Sequence, residues 1–99
     1  MLGQPTSTFF TGQKKIAVTG TSVQLGTNVV LQNGVTVKAS KNNTAAMYLG
    51  PSSSVANTGT GTGNGFELQP GDSVSMAITN LNSVYVNGAA NDFCSYLAN

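Results

Sequence analysis

Val29-Val30-Leu31-Gln32-Asn33-Gly34-Val35-Thr36-Val37-Lys38-Ala39 is the stretch on which the fold turns. Asn-Gly is the preferred centre of a two-residue type I′ turn, because both central positions need a positive φ. Val35, Val37 and Ala39 alternate with Thr36 and Lys38, the period of two that marks a strand with one buried face. The stretch therefore predicts a hairpin of Val29–Gln32 with Val35–Ala39. Its β-branched composition leaves no room for a helix.

The same pattern recurs on both sides. Ile16-Ala17-Val18 and Ser22-Val23-Gln24-Leu25 are short apolar runs punctuated by Gly20 and Gly26. Ala45–Gly50 places Met47 and Leu49 on one face, and Phe66-Glu67-Leu68 runs into the turn Gln69-Pro70-Gly71-Asp72. Val74, Met76 and Ile78 then alternate with small polar residues, as do Val84 and Val86 around Tyr85. Gly88–Asn91 reads as a further hairpin loop before a last strand, Phe93–Leu97. On that strand Cys94 and Tyr96 compete with Phe93, Ser95 and Leu97 for the buried face, and alternation alone decides for neither set. No apolar stripe at helical spacing outlasts one turn.

About seven or eight short strands with closely spaced turns predict an all-β chain, a single small antiparallel β-sandwich or jelly-roll-like barrel. The expected core is Val23, Leu25, Val35, Val37, Met47, Leu49, Phe66, Leu68, Val74, Met76, Ile78, Leu81, Val84 and Val86, with one face of the last strand. Residues 1–13, rich in Gly, Pro, Thr and Ser, predict an N-terminal arm, and residues 14–99 the sandwich domain. Phe9 and Phe10 sit side by side in that arm. Leaving both rings in water forfeits about 1.5–3 kcal/mol each, so the arm either folds back over the core or docks on a neighbouring subunit. Residues 57–65, alternating Gly with Thr and Asn, predict a loop tip; they lack the Lys-Ser/Thr and the helix of a phosphate-binding loop.

Composition narrows the chemistry. Only 7 of 99 residues are charged, with four Lys, three carboxylates, no His and no Trp. Ordinary domains are about a quarter charged. A net charge of +1 supplies no field to gather nucleic acid or an anionic membrane. Cys94, the only cysteine, has no disulfide partner within the chain and no His to activate it, so it is expected in the core. Glu67, Asp72 and Asp92 read as turn and cap residues rather than an acid–base pair. Neither an enzyme, a metal site nor a cofactor is expected. The start of the chain lacks the basic and apolar regions of a signal peptide, so synthesis in a cytoplasm without general secretion is expected. Candidate interface residues are Phe9, Phe10, Lys14 and Lys15 of the first segment and Tyr85, placed outward between two inward valines.

Five pieces occur in order: Val35–Ala39, Met47–Gly50, Gly65-Phe66-Glu67-Leu68-Gln69-Pro70-Gly71-Asp72-Ser73-Val74, Ser83-Val84-Tyr85-Val86-Asn87-Gly88 and Ser95–Ala98. This succession, over roughly residues 29–98, resembles small β-sandwich virion proteins of tailed bacteriophages, seen as capsid decoration (cement) proteins or head-fibre domains. The resemblance implies a structural protein on the outer surface of the capsid, made in the host cytoplasm. It implies the major capsid protein as partner, many copies per head and a homo-oligomer, trimeric for preference, with no part for nucleic acid or membrane. The alternative class is a carbohydrate- or receptor-binding module of a tail fibre or tail tip, built on Tyr85 and the Thr/Asn loops.

Overall fold

The computed structural model of the chain describes residues 8–58 and 65–99. Residues 1–7 of the expected arm and residues 59–64 of the expected loop tip lie outside the described residues. The chain is all-β. Strands β1 (Phe10–Lys15), β2 (Val23–Gln24), β3 (Val35–Ala39), β4 (Met47–Gly50), β5 (Phe66–Leu68), β6 (Ser73–Met76), β7 (Tyr85–Asn87) and β8 (Phe93–Ala98) are joined by loops and one short 3-10 turn, Leu81–Ser83. They form two antiparallel sheets of four strands, in the orders β1-β8-β3-β6 and β2-β7-β4-β5, which makes a small β-sandwich.

Alternation works as the sequence predicts on β3, where Val35, Val37 and Ala39 are buried and Lys38 is exposed. It also works across the sandwich, where Met47, Leu49, Leu68 and Val86 supply the second sheet's half of the core. Register then settles the face of β8. Residues directly opposite one another in adjacent strands share a face, and β8 pairs Val35 with Ala98, Val37 with Tyr96 and Ala39 with Cys94. Cys94 and Ala98 are accordingly buried and Tyr96 packs on the core, while Leu97 points out.

Expectations in three places need correction: the two hairpin loops, the arm and Phe66. The Asn33-Gly34 hairpin does not form, because both edges of β3 are occupied, one by β6 and the other by β8. Val29–Leu31 instead lies beside the segment before the 3-10 turn: Leu31 N–H donates to the Thr79 carbonyl (2.8 Å) and Leu81 N–H to the Val29 carbonyl (3.0 Å). Asn33 is not among the residues with positive φ, which a type I′ turn demands, although Gly34 is, at φ +114°. The N–H groups of Gln32, Asn33 and Gly34 converge on the Asn99 carbonyl at 3.0, 2.8 and 3.4 Å. Likewise Gly88–Asn91 is no hairpin loop, since β7 and β8 belong to different sheets and the link carries the chain between them.

The second correction concerns the arm. Residues 10–13 are the first part of β1, which pairs with β8 over six positions from Phe10↔Ala98 to Lys15↔Phe93. Phe10 turns inward and meets Tyr96 edge to face, with ring centroids 6.4 Å apart. Phe9, one residue earlier on a pleated chain, stays 64% exposed. Tyr96 lies across Gly12, where a Cβ would come within 2.4 Å of its ring, so only glycine leaves room for this closure of the sandwich edge.

The third is Phe66, expected in the core and 57% exposed. It stands on an edge strand of three residues, at the open mouth between the two sheets. Ile16, Leu31 and Val55, outside the named strands and absent from the expected core, are buried instead.

Gly34 offers a direct check. A Cβ there would lie 2.0 Å from the Met76 carbonyl oxygen, on a residue already at positive φ. Gly34→Ala is expected to lower the free energy of unfolding by about 2–4 kcal/mol, read as a lower urea midpoint with unchanged slope. An unchanged midpoint would contradict this placement of β3 against β6.

Candidate binding faces

The outer face of the first sheet is set by the same registers that fill the core. One cross-strand row reads Thr11, Leu97, Thr36, Ser75 and the next reads Gln13, Ser95, Lys38, Ser73. Small hydroxyl and amide side chains fill both rows around Leu97, which is 47% exposed, and a single lysine is their only charge. Thr36 and Ser75 hydroxyls share a hydrogen bond at 2.7 Å, fixing two of these groups across the strand pair. The members of these rows on β1, β8 and β3 line a shallow concavity of about 640 Å³.

Phe10 begins and Lys14 and Lys15 end β1, the edge beside this face, and Phe9 immediately precedes the strand. Thr11, Gln13 and Lys15 take its exposed side, while Phe10 and Lys14 take the half-buried side. Tyr85 lies apart, on β7 of the other sheet, half-buried and accepting a hydrogen bond from the Gln24 side-chain amide at 3.2 Å.

The carboxylates hold turns. Asp92 is 3% exposed and accepts from the N–H and hydroxyl of Thr44 (2.9 and 3.1 Å) and from the Ala45 N–H (3.1 Å), which pins the β3–β4 connection to the start of β8. Asp72 accepts the Gln69 N–H at 3.0 Å and closes the Pro70-Gly71 turn. Glu67 is exposed and hydrogen-bonded by the Gln69 side chain. The described residues hold no group of three or more His, Cys, Asp or Glu able to bind a metal. Among the described residues no helix is long and apolar enough to cross a membrane.

Buried polar groups on the second sheet are fully used. The Asn87 amide nitrogen donates to the carbonyls of Val55 (2.8 Å) and Gly20 (3.1 Å), and its oxygen accepts from Gly88 N–H (2.7 Å). One buried amide thus ties two loops to β7, and its loss would leave three backbone groups unpaired.

Sequence reasoning missed two surfaces. The first-sheet face needs the register of four strands that are not consecutive in the chain. The second is a groove of about 370 Å³ between β5 and β6, lined by Phe66, Val74, Met76 and Ile78 among others. Its signal was present as apolar residues on strands that turned out to be edges. No family model, no curated protein and no solved structure matches the chain.

Burial pushes the Cys94 thiol up from an ordinary 9.0 to about 11, against the smaller opposing effects of backbone hydrogen bonding at Lys14 and Cys94 and of the Lys14 charge. The folded chain therefore favours the neutral thiol more than the unfolded chain does. That contribution is complete below pH 9, is lost as pH rises from 9.0 toward 11, and amounts to about 2–3 kcal/mol. Urea unfolding of the wild type should lose about this much relative to Cys94→Ala across that window. Parallel pH profiles would contradict a thiol held neutral by the core.

Proposed function

We propose that this chain is a structural virion protein of a tailed phage, a capsid decoration (cement) protein. In this role it binds the assembled head in many copies, self-associates as a homotrimer and works on the outer surface of the capsid. Its partner is the major capsid protein, and it takes no catalytic part.

The observation that carries this reading is the outer face of the first sheet. Two rows of Thr, Ser and Gln around Leu97, with Lys38 as their one charge, span all four strands. Such a face suits a large protein partner. Charges at an interface centre must be stripped of water at a cost of several kcal/mol per ion in a dry site, and interface cores are depleted in them. Hydroxyls and amides exchange water for backbone partners at little net cost. A symmetric shell then multiplies a modest contact, because copies held together engage it with added avidity. The ordered pieces from Val35 to Ala98 that resemble phage decoration proteins support the same role.

Leu97→Glu places a carboxylate at the middle of this face while leaving the core untouched. It is expected to fold normally and to bind expanded heads at least about tenfold more weakly, since burying an unpaired charge costs well over 1.4 kcal/mol. Undiminished occupancy of the heads would overturn the proposal. So would a glycan-array signal that disappears on Tyr85→Ala, which belongs to the tail-fibre module instead.

A further inference from the structure

We propose that copies of this chain join head to tail, the β1 edge of one docking on the β6 edge of the next, so that the first sheet continues from copy to copy. This names the surfaces for the self-association in the proposed function. Its test uses the isolated protein, so failure to self-associate and failure to bind a capsid are read separately.

Three observations converge on it. The first is an unguarded edge. The sandwich has four edge strands, β1, β6, β2 and β5. Two of these are short, with two residues in β2 and three in β5. Beyond β6 the alternation of exposed and half-buried residues runs on to Thr79, so that Ser73-Val74-Ser75-Met76-Ala77-Ile78-Thr79 forms one long rim. It contains no charge, no proline and no glycine. Edges that stay single are blunted by lysine, proline, bulges or inward charges. This one has none of them, and the groove beneath it is apolar, with Phe66 57% exposed on its lip.

The second is strand polarity. All three pairings in the sheet are antiparallel and the strands number four, so β1 and β6 run in opposite directions. Two copies in the same orientation, set side by side, therefore bring β1 against β6 as an antiparallel pair. An odd number of strands would have made that contact parallel.

The third is charge. Lys14 and Lys15 lie on the β1 edge, whereas Glu67 and Asp72, the two exposed carboxylates, lie on the β5/β6 flank. Their heights match. Lys14 is level with Cys94 and Cys94 with Ala39, whose N–H donates to the Asp72 carbonyl at 2.9 Å. Phe10 is level with Ala98, Ala98 with Val35 and Val35 with Met76. Joining two copies without a shift sets Lys14 of one beside Asp72 of the next, and Phe10 beside Met76. A two-fold pairing of β6 with β6 leaves the lysines unused. The head-to-tail contact is heterologous, the type that makes a ring where the rotation between copies closes and a filament where it does not; closure at three copies makes the homotrimer.

The test exploits that asymmetry. Lys14→Glu/Lys15→Glu spoils the β1 edge, and Met76→Lys puts an ammonium on the β6 edge; circular dichroism confirms that each is folded. Should Met76→Lys not fold, Ala77→Lys, exposed on the same rim, replaces it. In sedimentation equilibrium the wild type is expected to exceed the monomer mass of 10.1 kDa as concentration rises. Each variant alone should stay monomeric. An equimolar mixture should form a dimer and nothing larger, because one good β1 edge meets one good β6 edge. A monomeric wild type, a variant that assembles alone like the wild type, or a mixture that stays monomeric would each overturn the inference.

Discussion

The register between β3 and β8 is the constraint on which the rest of the molecule depends. Val35↔Ala98, Val37↔Tyr96 and Ala39↔Cys94 put three small or branched inward residues of one strand against three of the other. A slip of one residue would turn Leu97 and Ser95 into the core and Cys94 and Tyr96 out of it. The same pairing seats β1 on the far side of β8 and β6 on the far side of β3. It therefore decides the core, the outer face and which two strands become edges. Each fully buried Leu, Ile or Val that this arrangement sustains contributes about 1.5–3 kcal/mol, and Cys94 stays a neutral thiol because it lies at the centre.

Much of this was legible in the sequence. Val35, Val37 and Ala39 announced a half-buried strand, Met47 and Leu49 another, and the all-β sandwich followed from their number and spacing. What stayed hidden depends on contacts far apart in the chain. Asn33-Gly34 carries a strong local preference for a hairpin, but β3 gains two partners at once by pairing with β6 and β8, and that outweighs one turn. Phe66 has the residue type of a core position and the location of an edge. The last strand, apolar on both faces, was undecidable until its neighbours fixed it. Gly12 is among the residues whose composition predicts an arm over 1–13, and its use, room for the Tyr96 ring, appears only across the pair.

The proposed binding surface was legible in kind and not in place. The scarcity of charge pointed away from proton transfer and polyanion binding toward contact with other proteins. Where that contact falls required the sheet order, because Thr11, Thr36, Ser75 and Leu97 come from four strands scattered along the chain. The few charges also acquire meaning from placement. Asp92 is used in a turn, while the lysines of β1 and the carboxylates Glu67 and Asp72 of the β5/β6 flank stand on opposite flanks of the sandwich. A sparsely charged face and complementary edges suit a protein that meets copies of itself sideways and a larger surface below.

The central claim is that this protein lies on an assembled capsid through the outer face of its first sheet. A cryo-electron microscopy reconstruction of the intact phage particle tests it most directly. The proposed role predicts small densities repeated over the outside of the head, each with Thr11, Thr36, Ser95 and Leu97 turned toward the shell and the β2-β7-β4-β5 sheet turned away. Density confined to the tail, or a chain that meets the shell through the β2-β7-β4-β5 sheet, would contradict it.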